Sequence, residues 1–173
     1  MGVVEENLKI GLSKTDTTFI AHSADIVGNV KLGKDVTVWY NTTLRGDINT
    51  IEIGDGSNVQ DGTTVHVGYV EPVVVGKNCT IGHGVILHGT RVHDNCLIGM
   101  GAILLNGSVI EENTIVAAGS LVPQNKVLKG GALYMGSPAK YVRDLTPEDI
   151  EKIKKNGEEY VHLGQIYREK NIK

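Results

Sequence analysis

The sequence is short of aromatic residues and of cysteines, and each shortage narrows the kind of protein that it can encode. One Phe, one Trp and six Tyr in 173 residues leave Val, Ile and Leu to fill the core. Two cysteines, Cys79 and Cys96, are expected as buried thiols rather than as a disulfide. Twenty-two glycines with four prolines indicate many turns.

Long apolar runs and a strong excess of one charge are also missing. No apolar stretch approaches the roughly 20 residues of a membrane span, and the formal net charge is only −3. The N-terminal segment MGVVEENLKIGLSK has no apolar run preceded by positive charge, so it does not resemble a signal peptide. We therefore expect a cytoplasmic protein of one domain that binds neither nucleic acid nor membranes.

The main feature of the sequence is a six-residue repeat of aliphatic residues. Every member of the series is Val, Ile or Leu: Ile20, Ile26, Leu32, Val38, Leu44, Ile53, Val59, Val65, Val75, Ile81, Leu87, Val92, Ile98, Leu104, Ile110, Val116 and Val122. A small or β-branched residue follows four positions later in most hexads: Ala24, Val30, Val36, Thr42, Ser57, Thr63, Cys79, Val85, Cys96, Ala102, Ser108, Thr114 and Ser120. The exceptions fall where the spacing itself breaks, at Ile48, Tyr69 and Arg91.

A six-residue period predicts short strands that turn corners, each with one large and one small residue inside. Three hexads close a triangular coil, and the coils stack as parallel strands about 4.8 Å apart. An ordinary β-sandwich would instead need strict alternation and hairpins of irregular length. The pattern resembles the hexapeptide-repeat proteins, an all-β family of left-handed parallel β-helices, and the left hand is implied by that resemblance alone.

The chain divides into two expected parts. Residues 1–145 are expected to form the β-helix domain, and residues 146–173 a C-terminal α-helix packed on it. Thr146 and Pro147 suit the N-cap and first turn of that helix, with acidic residues following. Gly157 and Gly164 lower helix propensity, which suggests a close approach to the β-helix.

Three histidines, His66, His83 and His88, interrupt this pattern, and the three breaks in the six-residue spacing flank the stretch that contains them. Imidazole is the commonest metal-binding side chain, and three of them with an open fourth position form the ligand set of a catalytic zinc. Counting hexads stacks Arg45, His66 and His88 in one column, one per coil. Asp61 and His83 form a second column. His66 and His88 can therefore share an ion.

His83 lies on a different face from His88, with up to roughly 16 Å of extended chain between them. Zn–N bonds of about 2.0–2.1 Å make it unfavourable for one chain to bring all three rings together. A neighbouring subunit of a cyclic homotrimer would supply His83 instead, through interfaces that are heterologous but closed.

Several motifs resemble those of the γ-class carbonic anhydrases and their relatives, over nearly the whole chain. They are LRGD at 44–47, NVQDG at 58–62, His66, IGHGVILHG at 81–89 and YMGSPAKYVRDLT at 134–146. The resemblance implies that His66, His83 and His88 bind Zn²⁺ (or Fe²⁺ or Co²⁺) between subunits of a trimer. It further implies that a metal-activated water converts CO2 to bicarbonate.

The same resemblance suggests roles for five other residues. Gln60 would hydrogen-bond the metal-bound oxygen, and Tyr134 matches a tyrosine near the family's site. Arg45, Asp47 and Asp61 match residues that form ion pairs at the subunit interface beside the metal. Each of these side chains also has a purely structural interpretation, as an interface ion pair or a packing tyrosine.

Two departures from the family pattern concern proton transfer. Ile48 stands where active members carry a glutamate, and the loop after His66 has Glu71 as its sole carboxylate. We therefore expect proton transfer to be slow or to use buffer. Gly136 also stands where some members have asparagine. Two other functions stay open: a hexapeptide-repeat acyltransferase, and a non-enzymatic metal-binding or assembly protein.

Overall fold

The computed structural model describes residues 2–172 of the chain. Two helices flank the strands, α1 (Gly2–Ile10) and α2 (Pro147–Glu169). The strands in chain order are β1 (Leu12–Ser13), β2 (Phe19–Ile20), β3 (Asp25–Leu32), β4 (Thr37–Val38), β5 (Thr43–Ile53), β6 (Asn58–Val59), β7 (Thr64–His66), β8 (Val73–Val75), β9 (Thr80–Ile81), β10 (Ile86–His88), β11 (Arg91–Val92), β12 (Leu97–Ile98), β13 (Ile103–Leu104), β14 (Val109–Ile110), β15 (Ile115–Val116), β16 (Leu121–Val122), β17 (Val127–Leu128), β18 (Ala132–Met135) and β19 (Lys140–Asp144).

The strands stack in parallel along three faces of a β-helix of about seven coils, except for β19, which pairs antiparallel with β18. One face runs through β7, β10, β13 and β16, and a second through β8, β11, β14 and β17. The long strand β5 turns the corner between these two faces, since it pairs with both β7 and β8. The third face runs from β2 through β4, β6, β9, β12 and β15 to β18. The predicted parallel β-helix of hexapeptide repeats with a C-terminal helix is confirmed.

The repeated aliphatic residues form the core. All are buried except Ile20 and Ile26, which are half-buried against the same cluster near the start of the β-helix. The repeat also continues two hexads beyond Val122. Leu128 and Tyr134 take the next two inward positions, and Tyr134 pairs in register with Val116. Each coil therefore adds one layer of aliphatic packing to the layer before it.

The corners depend on residues in the left-handed backbone region. One residue with positive φ stands immediately before most of the small inward residues, and it is always Asn, Asp or Gly: Asp35, Asn41, Gly56, Gly62, Asn78, Gly84, Asn95, Gly101, Gly107, Asn113 and Gly119. These three residue types tolerate that region best. The hexad therefore encodes both its inward residues and its turn.

Helix α2 begins and packs as the sequence predicts, with one difference. Thr146 caps it, and Thr146 and Asp149 exchange hydrogen bonds as a capping box. A β-carbon at Gly164 would lie 2.4 Å from Thr37 Cγ2, so that glycine is required by close approach. A β-carbon at Gly157 would meet nothing nearer than 3.8 Å, so its smallness is not required there. The assignment of residues 1–145 and 146–173 as separate domains stays a prediction, and residues 1 and 173 lie outside the described range.

Helix α1 was not predicted from the sequence. It packs against β3 and β5, and its Asn7 accepts a hydrogen bond of 3.2 Å from Asn29 Nδ2. Nine residues are too few to give a clear helical periodicity, and tertiary contacts stabilise such a short helix. Within residues 2–172, neither helix combines the length and the apolar character that crossing a membrane requires.

Candidate metal centre

The first column of polar side chains is assembled as the hexad count predicts. Arg45, His66 and His88 each directly follow a buried aliphatic residue. Strand pairing places Arg45 beside His66 and His66 beside His88 in exact register. The three side chains therefore lie on successive coils and point away from the core.

The two imidazole rings of this column converge on one point. His66 Nδ1 and His88 Nε2 are 3.0 Å apart. Two nitrogen ligands of a tetrahedral zinc, with bonds of about 2.0–2.1 Å, would be separated by about 3.3 Å. The two rings are therefore within a few tenths of an ångström of the geometry that a shared metal ion needs.

Asp47 holds the outer nitrogen of His66. Its Oδ1 lies 3.0 Å from His66 Nε2, while its other oxygen accepts a hydrogen bond from Arg45. Burial alone would raise the pKa of the Asp47 carboxyl, but the hydrogen bonds from Arg45 and His66 and the charge of Arg45 outweigh it and lower that pKa. A carboxylate can only accept hydrogen bonds, so His66 Nε2 carries the proton and Nδ1 keeps its lone pair.

Asn106 holds the outer nitrogen of His88, and the sequence reading missed it. Its Oδ1 lies 2.7 Å from His88 Nδ1. A signal was available, because Asn106 follows the repeat residue Leu104 by two positions and so lies one coil beyond Gly89, the residue after His88. With Nδ1 as the donor, the lone pair of His88 Nε2 points toward His66.

Asp61 and His83 form the predicted second column, at the edge of the third face. Asp61 Oδ2 lies 2.9 Å from His83 Nδ1, and both side chains are close to half exposed. The Gly84 N–H donates to the Asp61 carbonyl, which confirms that the two residues are one coil apart. The carboxylate can only accept a hydrogen bond, so Nδ1 of His83 carries the proton and Nε2 keeps its lone pair.

The predicted catalytic residues divide between the two columns. Arg45 and Asp47 lie with His66 and His88, whereas Asp61 and Gln60 lie with His83. The side chain of Gln60 is buried and donates to Asn58 Oδ1 at 3.1 Å. It lines a pocket of about 230 Å³ between the third face and α2, together with His83, Met100, Asn156 and Tyr160.

Tyr134 lies apart from both columns. Its ring takes an inward core position, and its hydroxyl donates to the Lys129 carbonyl at 3.1 Å. Strand β18 is three strands from β9, or about 14 Å along the helix axis. This packing favours a structural role for Tyr134, and a catalytic role stays a prediction.

A single chain presents two of the three histidines on one face and the third on another. No group of three His, Cys, Asp or Glu side chains that could hold a metal forms anywhere in residues 2–172. Each column nevertheless fits a metal, because every ring has a partner on one nitrogen and a lone pair on the other. That the two columns together supply one three-histidine site stays a prediction.

The chain is similar to hexapeptide-repeat proteins and to proteins named carbonic anhydrase. Residues 89–124 match the family described as bacterial transferase hexapeptide (six repeats). The chain is 45% identical over 161 residues to gamma carbonic anhydrase 2, mitochondrial, of Arabidopsis thaliana, covering 90% of this chain but 58% of that protein. It therefore spans little more than half the length of that plant relative.

Two shorter proteins match over most of their length. A carbonic anhydrase of Geobacillus kaustophilus is 41% identical over 152 residues, which are 88% of this chain and 84% of that protein. A crystal structure of a hexapeptide transferase family protein from Anaplasma phagocytophilum superposes with a TM-score of 0.87 at 44% identity. That alignment covers 90% of this chain and 92% of the other.

Proposed function

The chain belongs to the γ-class carbonic anhydrase-like family of hexapeptide-repeat proteins, and we propose that it catalyses the reversible hydration of CO2 to bicarbonate. The proposed enzyme is a homotrimer with a divalent metal, Zn²⁺ or alternatively Fe²⁺ or Co²⁺, at each subunit interface. His66 and His88 of one chain and His83 of the next are its proposed ligands. A cytoplasmic location also stays a prediction.

The observation that carries this proposal is the convergence of two lone pairs. Asp47 and Asn106 each occupy the outer nitrogen of one ring, so His66 Nδ1 and His88 Nε2 face each other as acceptors at 3.0 Å. At that distance the two nitrogens can share either a proton, in an N–H···N hydrogen bond, or a metal ion. A metal ion satisfies both, and the nearly tetrahedral separation favours it.

The second column supports the assignment of the third ligand. Asp61 contacts His83 at Nδ1, and the His83 side chain is close to half exposed, so its Nε2 is proposed as the ligand given to a neighbouring subunit. In a closed ring of three subunits, each chain gives two ligands to one interface and one ligand to the next. Three identical sites result without any residue being used twice.

The chain's own residues would orient the metal ligands and the reacting oxygen. A bound divalent metal would supply acidity, since it lowers the pKa of a coordinated water to about 7 in zinc enzymes. Asp47, Asp61 and Asn106 would each hold one ring in place by a hydrogen bond to the nitrogen that does not bind the metal. Gln60 offers a buried amide beside His83 that is proposed to hydrogen-bond the reacting oxygen. Proton transfer to solvent is proposed to depend on buffer.

One specific observation favours a second candidate, a hexapeptide-repeat acyltransferase. The solved structure from Anaplasma phagocytophilum is described as a hexapeptide transferase family protein and is 44% identical. An acyltransferase needs a histidine free to act as a base. A carboxylate on one nitrogen of a histidine leaves its other nitrogen able to act as a base, so these partners do not decide between the two functions. The convergence of His66 Nδ1 and His88 Nε2 favours the metal. A non-enzymatic metal-binding or assembly role is the third alternative.

Metal analysis with a matched pair of variants tests the ligand assignment. His88→Ala should lose bound metal and stopped-flow CO2 hydration while keeping its β-sheet circular dichroism. His93→Ala is the control, because His93 follows buried Val92 just as His88 follows buried Leu87, but on the neighbouring face. Full metal occupancy in His88→Ala would refute the assignment. Bound metal without hydration at any buffer concentration would favour the non-enzymatic role.

Mixed subunits test whether each site is shared. Homotrimers of His83→Ala and of His88→Ala each lack a complete site. Refolded together, every trimer that contains both variants has one interface where a chain with His66 and His88 meets a neighbour with His83. Each mixed trimer should therefore recover one metal site of three. No gain of metal, with mixing confirmed by mass spectrometry, would contradict a site shared between chains.

A further inference from the structure

Behind Asn106 lies a carboxylate from a loop that interrupts the repeat. The segment between β7 and β8 adds four residues to the hexad spacing and carries Glu71. Asn106 Nδ2 lies 3.4 Å from Glu71 Oε2, at the long end of the hydrogen-bond range. Asn106 thus contacts His88 with its oxygen and Glu71 with its nitrogen, and it connects the loop to the proposed metal ligand.

Glu71, at the outer end of these contacts, determines which atoms of Asn106 and His88 donate and which accept. As a carboxylate, Glu71 has only acceptor atoms, so the atom of Asn106 that faces it must be the amide NH2. The amide oxygen must then face His88. Since that oxygen can only accept, Nδ1 of His88 must be the protonated nitrogen. Glu71 therefore determines the tautomer of His88 through Asn106, without touching the ring.

Two glycines leave the space that this pair occupies. A β-carbon at Gly68 would lie 2.5 Å from Glu71 Oε2 and 2.7 Å from Asn106 Nδ2. A β-carbon at Gly89 would lie 2.9 Å from Glu71 Cβ and 3.1 Å from Asn106 Nδ2. Both positions therefore border the Glu71–Asn106 pair. Any larger residue at either glycine would displace the pair from His88.

The loop is anchored at its base although its tip is exposed. Asn49 Nδ2 donates to the Gly68 carbonyl at 3.2 Å, and the Gly68 N–H donates to the Glu71 carbonyl at 2.8 Å. Tyr69 and Val70 at the tip are each 81% exposed. The anchored part therefore includes Glu71 and not the tip, as a positioning role requires.

We infer that Asn106, oriented by Glu71, is a positioning residue that holds His88 as the Nδ1-protonated tautomer with Nε2 directed at the metal. The inference rests on the proposed function for its metal, but its statement about the tautomer concerns the metal-free chain as well. It assigns the loop's single carboxylate to orientation of a ligand.

The experiment compares metal affinity in four forms of the full-length protein, by competition of Co²⁺ with a chelator and by the visible Co²⁺ spectrum. Asn106→Leu should weaken Co²⁺ binding by about 10- to 100-fold, as loss of such outer partners does in other metal sites. Gln124→Leu is the matched control, because the exposed Gln124 takes the same position in the next coil. It should bind Co²⁺ as the wild type does.

A reciprocal double variant distinguishes positioning from simple loss of structure. Asn106→Asp alone should weaken binding, because it places two carboxylates together. In N106D/E71Q, the carboxylate at position 106 accepts a hydrogen bond from His88 Nδ1. The amide at position 71 donates a hydrogen bond to that carboxylate, so every donor again faces an acceptor. Co²⁺ affinity should return to within about threefold of the wild type, or roughly 0.7 kcal/mol.

The outcomes separate this inference from the proposed function. Wild-type affinity and an unchanged spectrum in Asn106→Leu would overturn the positioning role, as would failure of the double variant to recover while remaining folded. If the wild type bound no metal, the proposed function would fail. The ¹⁵N spectrum of metal-free protein would then still test the positioning role of Asn106. That role requires a proton on His88 Nδ1 in the wild type and no such proton in Asn106→Leu.

Discussion

Two neighbouring faces of the β-helix share one repeat and one continuous sheet, yet their outer surfaces differ. The histidine face, formed by β7, β10, β13 and β16, carries outward aliphatic side chains beside its two histidines: Ile86, Ile103, Leu105 and Leu121. The ion-pair face, formed by the end of β5 with β8, β11, β14 and β17, carries outward valines together with outward charges: Val74, Val109, Val127, Glu52, Arg91, Glu111 and Lys129. Lys129 and Glu111 form an ion pair of 2.9 Å between neighbouring coils there.

The difference shows where function is specified in a repeat protein. The inward positions of both faces are aliphatic and buried, and they determine only the coil. The outward positions are free of that constraint, so one face can hold metal ligands in an apolar surround while the other holds exposed charges. An apolar rim around a ligand pair is typical of a surface that another subunit covers.

The largest effect on stability is expected from truncating an inward side chain on the histidine face. Leu87 is fully buried, and Leu87→Ala should lower the free energy of unfolding by about 2–5 kcal/mol. His88→Ala, one residue away and outward, should lower it by about 1 kcal/mol or less in metal-free protein. Urea unfolding of the two variants without metal measures both. Equal losses would show that the histidine face is not divided into structural and functional positions.

A matched pair of lysine substitutions sharpens the comparison of the outer surfaces. Ile86 on the histidine face and Val127 on the ion-pair face each precede a buried leucine, and they are 40% and 43% exposed. Ile86→Lys should weaken the proposed trimer at least about tenfold, because an interface would bury its charge. Val127→Lys should leave assembly unchanged. Sedimentation equilibrium over a dilution series measures this, and identical masses for both variants would place the interface elsewhere.

Much of the fold was predictable because its information is local and repeated. Each inward aliphatic recurs at a fixed interval, so even the stacking of His66 on His88 followed from counting. The end of the repeat was harder to predict from the sequence. Tyr134 is aromatic where the series is aliphatic, yet it fills a core position. The residue type, and not the spacing, hid this core position, and a role of Tyr134 at the site stays a prediction.

The contacts around the site were less predictable because they join residues across insertions. Glu71 and Asn106 are 35 positions apart and meet only because a four-residue insertion folds back over the corner. No periodicity encodes such a pair. Helix α1 was missed for a similar reason, since its packing on β3 and β5 depends on tertiary contacts. The sharing of His83 between chains also lies beyond any one chain, and it stays a prediction.

The smallest effect is expected on the ion-pair face, from Glu111→Gln. The hydrogen bond from Lys129, followed by that from the Gly130 N–H, lowers the pKa of Glu111, and Glu111 in turn raises the pKa of Lys129. A lowered carboxyl pKa gives stabilisation that is present above the unfolded value, roughly 4.3, and is lost as pH falls through the folded value. A raised ammonium pKa gives stabilisation that is present below roughly 10.4 and is lost as pH rises through the folded value. The wild type should therefore exceed Glu111→Gln in urea midpoint only between these limits, by a small amount that added salt reduces, because the pair is exposed.

Glu112→Gln is the control, since Glu112 forms no ion pair in the described part of the chain. A difference that persists at both pH extremes would mean that Glu111 stabilises the corner through packing, and the two faces would then differ less than their charges indicate.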